Sequence, residues 1–148
     1  MTRPTKFETY MKVAETVALR SHDSETKVGS VLVKKDSGAI IATGCNGFVR
    51  SAPDAILPNT RPDKYKYIVH SEMNLIYNAA RHGISMEDTF VVCTLTPCVA
   101  CMRGLWNTGV REVIAKAPYR DFQDILMMND LNVTETRTDE GFIKLVYY

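Results

Sequence analysis

After an opening hairpin pattern, each apolar β-rich run in this chain is separated from the next by a segment of helical periodicity. Residues 5–19 carry apolar side chains at 7, 10, 11, 13, 14, 17 and 18, the spacing of one helix face. VGSVLVKK and AIIATGC are β-rich and flank Asp36, Ser37 and Gly38, a hairpin turn. TFVVCTL, REVIAK and FIKLVYY read as three further strands. Three helices fall between and before them: one from His70 to a stop at Gly83, one opened by Pro97 and stopped by Gly109, and one over residues 121–130. The order αββαβαβαβ predicts a three-layer α/β architecture, a five-stranded mixed sheet covered by helices. At 148 residues, with no repeat or linker-like stretch, the chain reads as one domain over residues 1–148, long enough to bury a core without staples. Residues 46–66, rich in Pro, Asn, Asp and Arg, read as a long loop. A connection beyond about 12–15 residues suggests function or regulation.

The net charge of +1 offers nothing to nucleic acid or an anionic membrane surface. The first residues lack the apolar run of a signal peptide, and no stretch approaches the ~20 apolar residues of a membrane span. The expected location is the cytoplasm, where disulfides are rare. Cys45, Cys93, Cys98 and Cys101 are therefore read first as metal ligands, buried thiols or reactive groups.

Cys98 and Cys101 form a C-x-x-C pair at the start of a helix, which by itself fits a redox dithiol, half of a zinc site or coincidence. Joined to His70, it offers two thiolates and one imidazole. Three protein ligands leave one tetrahedral position open, as catalytic zinc sites do, whereas structural sites are closed by a fourth residue. Glu72 lies two residues beyond His70, giving H-x-E followed by P-C-x-x-C, a combination far more specific than either half. Two thiolates balance the metal's charge, and zinc lowers the pKa of bound water toward ~7. The expected helix N-termini favour thiolates there. In this reading His70, Cys98 and Cys101 hold Zn²⁺, and Glu72 moves protons.

With these motifs the sequence resembles the zinc-dependent nucleotide deaminases, most closely the deoxycytidylate (dCMP) deaminases. The resemblance spans roughly residues 7–130 and includes KVGSVLV, ATGCNGF, YKYIVHSEMN, TLTPCVAC and GVREVIAKAPYR. The family's H-A-E-[LM]-N stands here as His70-Ser71-Glu72-Met73-Asn74, and its G-Y-N-G as Gly44-Cys45-Asn46-Gly47. The resemblance implies a cytidine deaminase-like α-β-α fold and hydrolysis of dCMP to dUMP and ammonia, supplying dUMP for dTMP synthesis. It implies one zinc per subunit, since residues 48–69 lack the Cys or His with which some relatives bind a second. Asn46 would hydrogen-bond the sugar 3′-hydroxyl, and Tyr119 and Arg120 would grip the 5′-phosphate, with Lys27 a further candidate. Val28, Thr96 and Pro97 are candidate base-pocket walls or backbone contacts. The resemblance also implies a homohexamer activated by dCTP with Mg²⁺ and inhibited by dTTP. The candidate effector residues are Gly44, Asn46, Gly47, Phe48, Arg50, Arg61, Lys64 and Lys66.

Other readings make different demands. A related deaminase would act on free cytidine or deoxycytidine, guanine or tRNA adenosine; the neutral charge opposes tRNA, and the phosphate grip opposes free nucleosides. A non-catalytic zinc module needs a fourth ligand from Cys45, Cys93 or His22. A thioredoxin-like dithiol leaves His70 and Glu72 idle.

Overall fold

Alternate residues of the central strands pack against helices on opposite sides of the sheet, as a two-residue side-chain period requires. Strand β1, Gly29–Lys34, sends Val31 and Val33 toward helix α1, Lys6–Ala18, and Leu32 toward the other side. The same division runs through β3, Thr89–Leu95, and β4, Glu112–Ala117: Val92 and Ile114 join Tyr10, Met11 and Ala14 of α1. Val91, Cys93, Val113 and Ala115 instead meet Leu75 of α2 (Ser71–Arg81), Met102 and Leu105 of α3 (Val99–Asn107), and Phe122 and Ile125 of α4 (Phe122–Leu126). These are the three expected layers, seen in a computed structural model that describes residues 2–127 and 132–148.

The sheet has six strands, in the order β2-β1-β3-β4-β6-β5, with β2 at Ile40–Cys45, β5 at Val133–Arg137 and β6 at Ile143–Tyr147. Only β3 and β4 run parallel; the other neighbours are antiparallel, so the sheet is mixed as expected. The expected count of five strands is corrected here. The missed strand, VTETR, buries only Val133, so it lacks the apolar alternation that marks a strand. Charged and polar side chains suit an edge strand because they discourage pairing with another chain. Helix α4 is described over Phe122–Leu126, and residues 128–130 of the expected 121–130 lie outside the described residues. Among the described residues no helix is long and apolar enough to cross a membrane.

Two close approaches fix where α2 starts. A Cβ added to Gly44 would lie 2.4 Å from the Ser71 carbonyl oxygen and 2.7 Å from the Leu75 nitrogen, so only glycine lets β2 pass so near the helix. Buried Ser71 then donates to Ser30 Oγ at 2.8 Å, tying the head of α2 to β1. The long loop closes at its base, where Gly47 and Val69 exchange backbone hydrogen bonds of 3.0 and 2.6 Å. That pairing brings Asn46 beside His70.

Candidate metal centre and substrate cleft

His70 is the N-cap of α2 and Cys98 the N-cap of α3, so two helix heads, with their unsatisfied N–H groups and partial positive charge, meet at one point. His70 Nδ1 lies 3.4 Å from Cys98 Sγ and 3.5 Å from Cys101 Sγ. A tetrahedral zinc with ordinary Zn–N and Zn–S bonds would hold a nitrogen and a sulfur donor about 3.6 Å apart, so both His70–thiol distances fit Zn²⁺. Among the described residues this is the one group of three or more His, Cys, Asp or Glu side chains that could hold a metal. The fourth ligand of a structural module is not supplied by the expected alternatives. Buried Cys93 turns toward the Ile114 carbonyl, whereas Cys45 and His22 border a different cavity. All four cysteines are free thiols.

Hydrogen bonds from Cys101 and His70 outweigh partial burial and hold the Cys98 thiol well below the ordinary range. The partner thiol, Cys101, is driven in the opposite direction because Cys98 takes the shared hydrogen bond. The Cys101 N–H also donates to Cys98 Sγ at 3.4 Å. Asp121 accepts from the Val99 N–H at 3.1 Å and so supports the first turn of α3.

Glu72 sits in the first turn of α2 and is 3 % exposed. Burial pushes its carboxyl up to about 7, against a lowering by hydrogen bonding to its own N–H and by His70. A carboxyl poised there can take or give a proton at neutral pH. His70, Glu72 and Cys98 open onto a cleft that Val28, Asn46, Thr96 and Tyr119 also line. A histidine, a thiol pair and a buried acid gathered at one cleft are the groups that metal-assisted hydrolysis uses.

The chain belongs to the cytidine and deoxycytidylate deaminase zinc-binding family, whose model matches residues 4–117. It is 35% identical over 112 residues to a probable deoxycytidylate deaminase of Caenorhabditis elegans, covering 73% of this chain and 55% of that protein. To the human deoxycytidylate deaminase it is 31% identical over 113 residues, covering 72% and 62%. The chain thus spans little more than half the length of these curated relatives. The dCMP deaminase of cyanophage S-TIM5, solved in complex with dCMP and dUMP, superposes with a TM-score of 0.71 at 29% identity, over 86% of this chain and 94% of that one.

The other expected site residues divide. Asn46 lines the cleft and is 7 % exposed. Its Oδ1 accepts from the Val28 N–H at 2.9 Å, and its Nδ2 donates to the Thr26 carbonyl at 2.8 Å. The carbonyl oxygen keeps one lone pair for a hydroxyl. Tyr119 borders the cleft, and its N–H donates to Thr96 Oγ1 at 2.7 Å. Arg120 does not itself line the cleft; its guanidinium lies over the rings of Tyr119 and Tyr65, which do. Lys27 does not line the cleft: its ammonium donates to the Ser21 carbonyl.

The expected effector residues do not form one group. Gly44 is buried under α2, where packing explains it. Arg61 and Lys64 border the first cleft, and Lys64, 2 % exposed, pairs with Asp23 at 2.8 Å and Glu25 at 3.2 Å. Lys66 is exposed and lines neither cavity. Asn46, Gly47, Phe48 and Arg50 do border a second cavity of about 210 Å³, together with Arg20 and His22. Asn46 lines both cavities.

Sequence reasoning missed Asp23, Thr26 and Tyr65 in the cleft. Asp23 accepts from the Glu25 and Thr26 N–H groups at 2.8 and 3.0 Å, a turn that His-Asp-Ser at 22–24 hints at. The spacing of Arg61 and Tyr65, one helical turn apart, was the available signal for their proximity.

Proposed function

We propose that this protein is a cytoplasmic dCMP deaminase that hydrolyses dCMP to dUMP and ammonia, supplying dUMP for dTMP synthesis. The observation that carries this reading is buried Glu72 beside the His70–Cys98–Cys101 triad, in a cleft that also holds Asn46 and Tyr119. The two relatives' names and the cyanophage enzyme's complex with dCMP and dUMP support the choice of substrate.

His70 Nδ1 and the two thiolates hold one Zn²⁺ per subunit. The metal, when bound, supplies an activated water at neutral pH. Glu72 accepts a proton from the attacking water, passes one to ring N3 of the pyrimidine, and later protonates the departing amine, so that water and dCMP leave as dUMP and ammonia. Asn46 accepts a hydrogen bond from the sugar 3′-hydroxyl through its remaining lone pair. Tyr119 and Arg120 bind the 5′-phosphate.

In this reading the protein assembles as a homohexamer, activated by dCTP with Mg²⁺ and inhibited by dTTP. The second cavity, with Arg20 and Arg50 beside Phe48, has the cations and the aromatic that a nucleoside triphosphate requires. Asn46 borders both cavities and is the natural element through which an effector would bias substrate binding. A panel of dCMP, CMP, deoxycytidine and dCTP, assayed on protein of measured zinc content, tests the reading. Preferential deamination of dCMP is expected; preference for the free nucleoside contradicts it.

A further inference from the structure

The cleft is lined by positive charge from Arg61 and Lys64, besides Arg120 just outside its lining. Arg61 and Tyr65 line it, on the turn that carries the 3₁₀ segment Asp63–Lys66. Arg61 Nε donates to the Tyr65 hydroxyl at 2.7 Å, and the Arg120 guanidinium lies 5.3 Å from the centre of the same ring. Partial burial of that phenol works upward, but hydrogen bonding from Arg120 and Arg61 prevails and holds it below the ordinary tyrosine range. Two guanidiniums from segments remote in sequence thus converge on one phenol.

The balance around them is positive. Asp23 and Glu25 face Lys64, and Glu25 also pairs with Arg61 at 3.3 Å, so two carboxylates serve three cations once Arg120 is counted. Among the described residues Arg120 forms no ion pair. A solvated surface cluster would explain two arginines near a tyrosine. It does not explain why Lys64, between them in sequence, is buried against Asp23 at the cost of desolvating both charges. That buried pair, with the Arg61 N–H donating to Glu25 at 2.7 Å and Arg61 to Thr26 Oγ1 at 2.9 Å, fixes the turn with residues 61 and 65 facing the cleft.

We infer that Arg61 and Tyr65 determine specificity for the substrate's phosphate: with Arg120 they clamp the dianion of a nucleoside 5′-monophosphate, and the buried Asp23–Lys64 pair presents them. The inference rests on the reading of the cleft as a monophosphate site and adds Arg61 and Tyr65 to it. Guanidinium forks match phosphate oxygens in pairs, and a phenol adds one further donor.

Calorimetric binding of dUMP and of 2′-deoxyuridine to zinc-loaded wild type, Arg61→Ala, Arg61→Lys, Tyr65→Phe and Arg120→Ala tests the clamp. Charge-assisted bonds of this kind predict that Arg61→Ala weakens dUMP about 10- to 100-fold, with a far smaller change for deoxyuridine. Arg61→Lys should recover part of the loss, and Tyr65→Phe should cost roughly 2- to 10-fold on dUMP. In turnover the Arg61→Ala loss on dCMP should appear chiefly in KM. Equal weakening of dUMP and deoxyuridine by Arg61→Ala, or no weakening of either, overturns the inference. If Arg120→Ala abolishes the preference for dUMP while Arg61→Ala and Tyr65→Phe keep it, the inference alone fails. A wild type that binds deoxyuridine as tightly as dUMP overturns the monophosphate reading itself.

Discussion

His70 and Cys98 occupy the same position in two different helices: each is an N-cap, and Nδ1 of one lies 3.4 Å from Sγ of the other. Neither is one of the usual capping residues Ser, Thr, Asp or Asn: His70 makes no side-chain cap bond, and Cys98 accepts from the Cys101 N–H through sulfur. Both positions carry side chains that could hold a metal. The two helices pack on the same face of the sheet through Leu75, Met102 and Leu105, so the core sets the separation of the donors.

Removing a donor should therefore empty the site without unfolding the sheet. His70→Ala and Cys98→Ala are expected to lose stoichiometric zinc in metal analysis while keeping wild-type far-ultraviolet dichroism. Zinc retained at one per chain in either variant would show that the triad is not the metal centre.

The Asp23–Lys64 pair should give stability a recognisable acid limb. Hydrogen bonds from Lys64 and from the Thr26 and Glu25 N–H groups overcome the upward pull of burial and lower the Asp23 pKa. A carboxyl lowered on folding stabilises the protein above its unfolded pKa of about 4 and loses that contribution as pH falls through the lowered value. Asp23→Asn should cost about 3 kcal/mol at pH 7, the lower end for breaking a buried pair because Glu25 still faces Lys64. Urea midpoints should differ by a constant amount from pH 7 down to about 5 and converge below about 4. A difference that persists unchanged at pH 3 would rule out the charge as its source.

Gly44 provides a test of packing against regulation. Gly44→Ala puts a methyl group within 2.4 Å of the Ser71 carbonyl, with backbone on both sides and no flexible side chain to yield. Overpacking of this kind costs about 1–3 kcal/mol. A lower melting temperature with unaltered dependence on dCTP in the surviving fold is expected. A changed effector response at full stability would return Gly44 to the regulatory site.

Much of this organisation was legible in the sequence because short-range pattern and long-range packing agree. The three-layer order follows from periodicity, and the donors follow from H-x-E and P-C-x-x-C at helix starts that Pro97 and the stops at Gly83 and Gly109 delimit. Strand Val133–Arg137 was illegible because an edge strand with one buried residue has no apolar pattern to read. The split of the basic residues was illegible for another reason. Arg50, Arg61 and Lys64 are neighbours in one loop, and only the closure of Gly47 on Val69 and the burial of Lys64 against Asp23 assign them to two cavities.

Regulation can be read from steady-state kinetics. Sub-saturating dCMP should give a sigmoidal response that dCTP with Mg²⁺ makes hyperbolic and dTTP suppresses. Coupling of about 1–3 kcal/mol corresponds to 5- to 150-fold in affinity. Arg50→Ala should weaken both responses. Hyperbolic kinetics indifferent to both nucleotides would leave an unregulated deaminase on this scaffold.

The division of labour between His70 and Glu72 is the centre of this account, and Glu72→Ala tests it on a single preparation. Zinc content and dUMP formation from dCMP are measured on the same sample. The expected result is full zinc with turnover lowered by at least ~10²–10⁴-fold, the range of general acid–base catalysis. A zinc-replete Glu72→Ala protein that deaminates dCMP at close to the wild-type rate would contradict it.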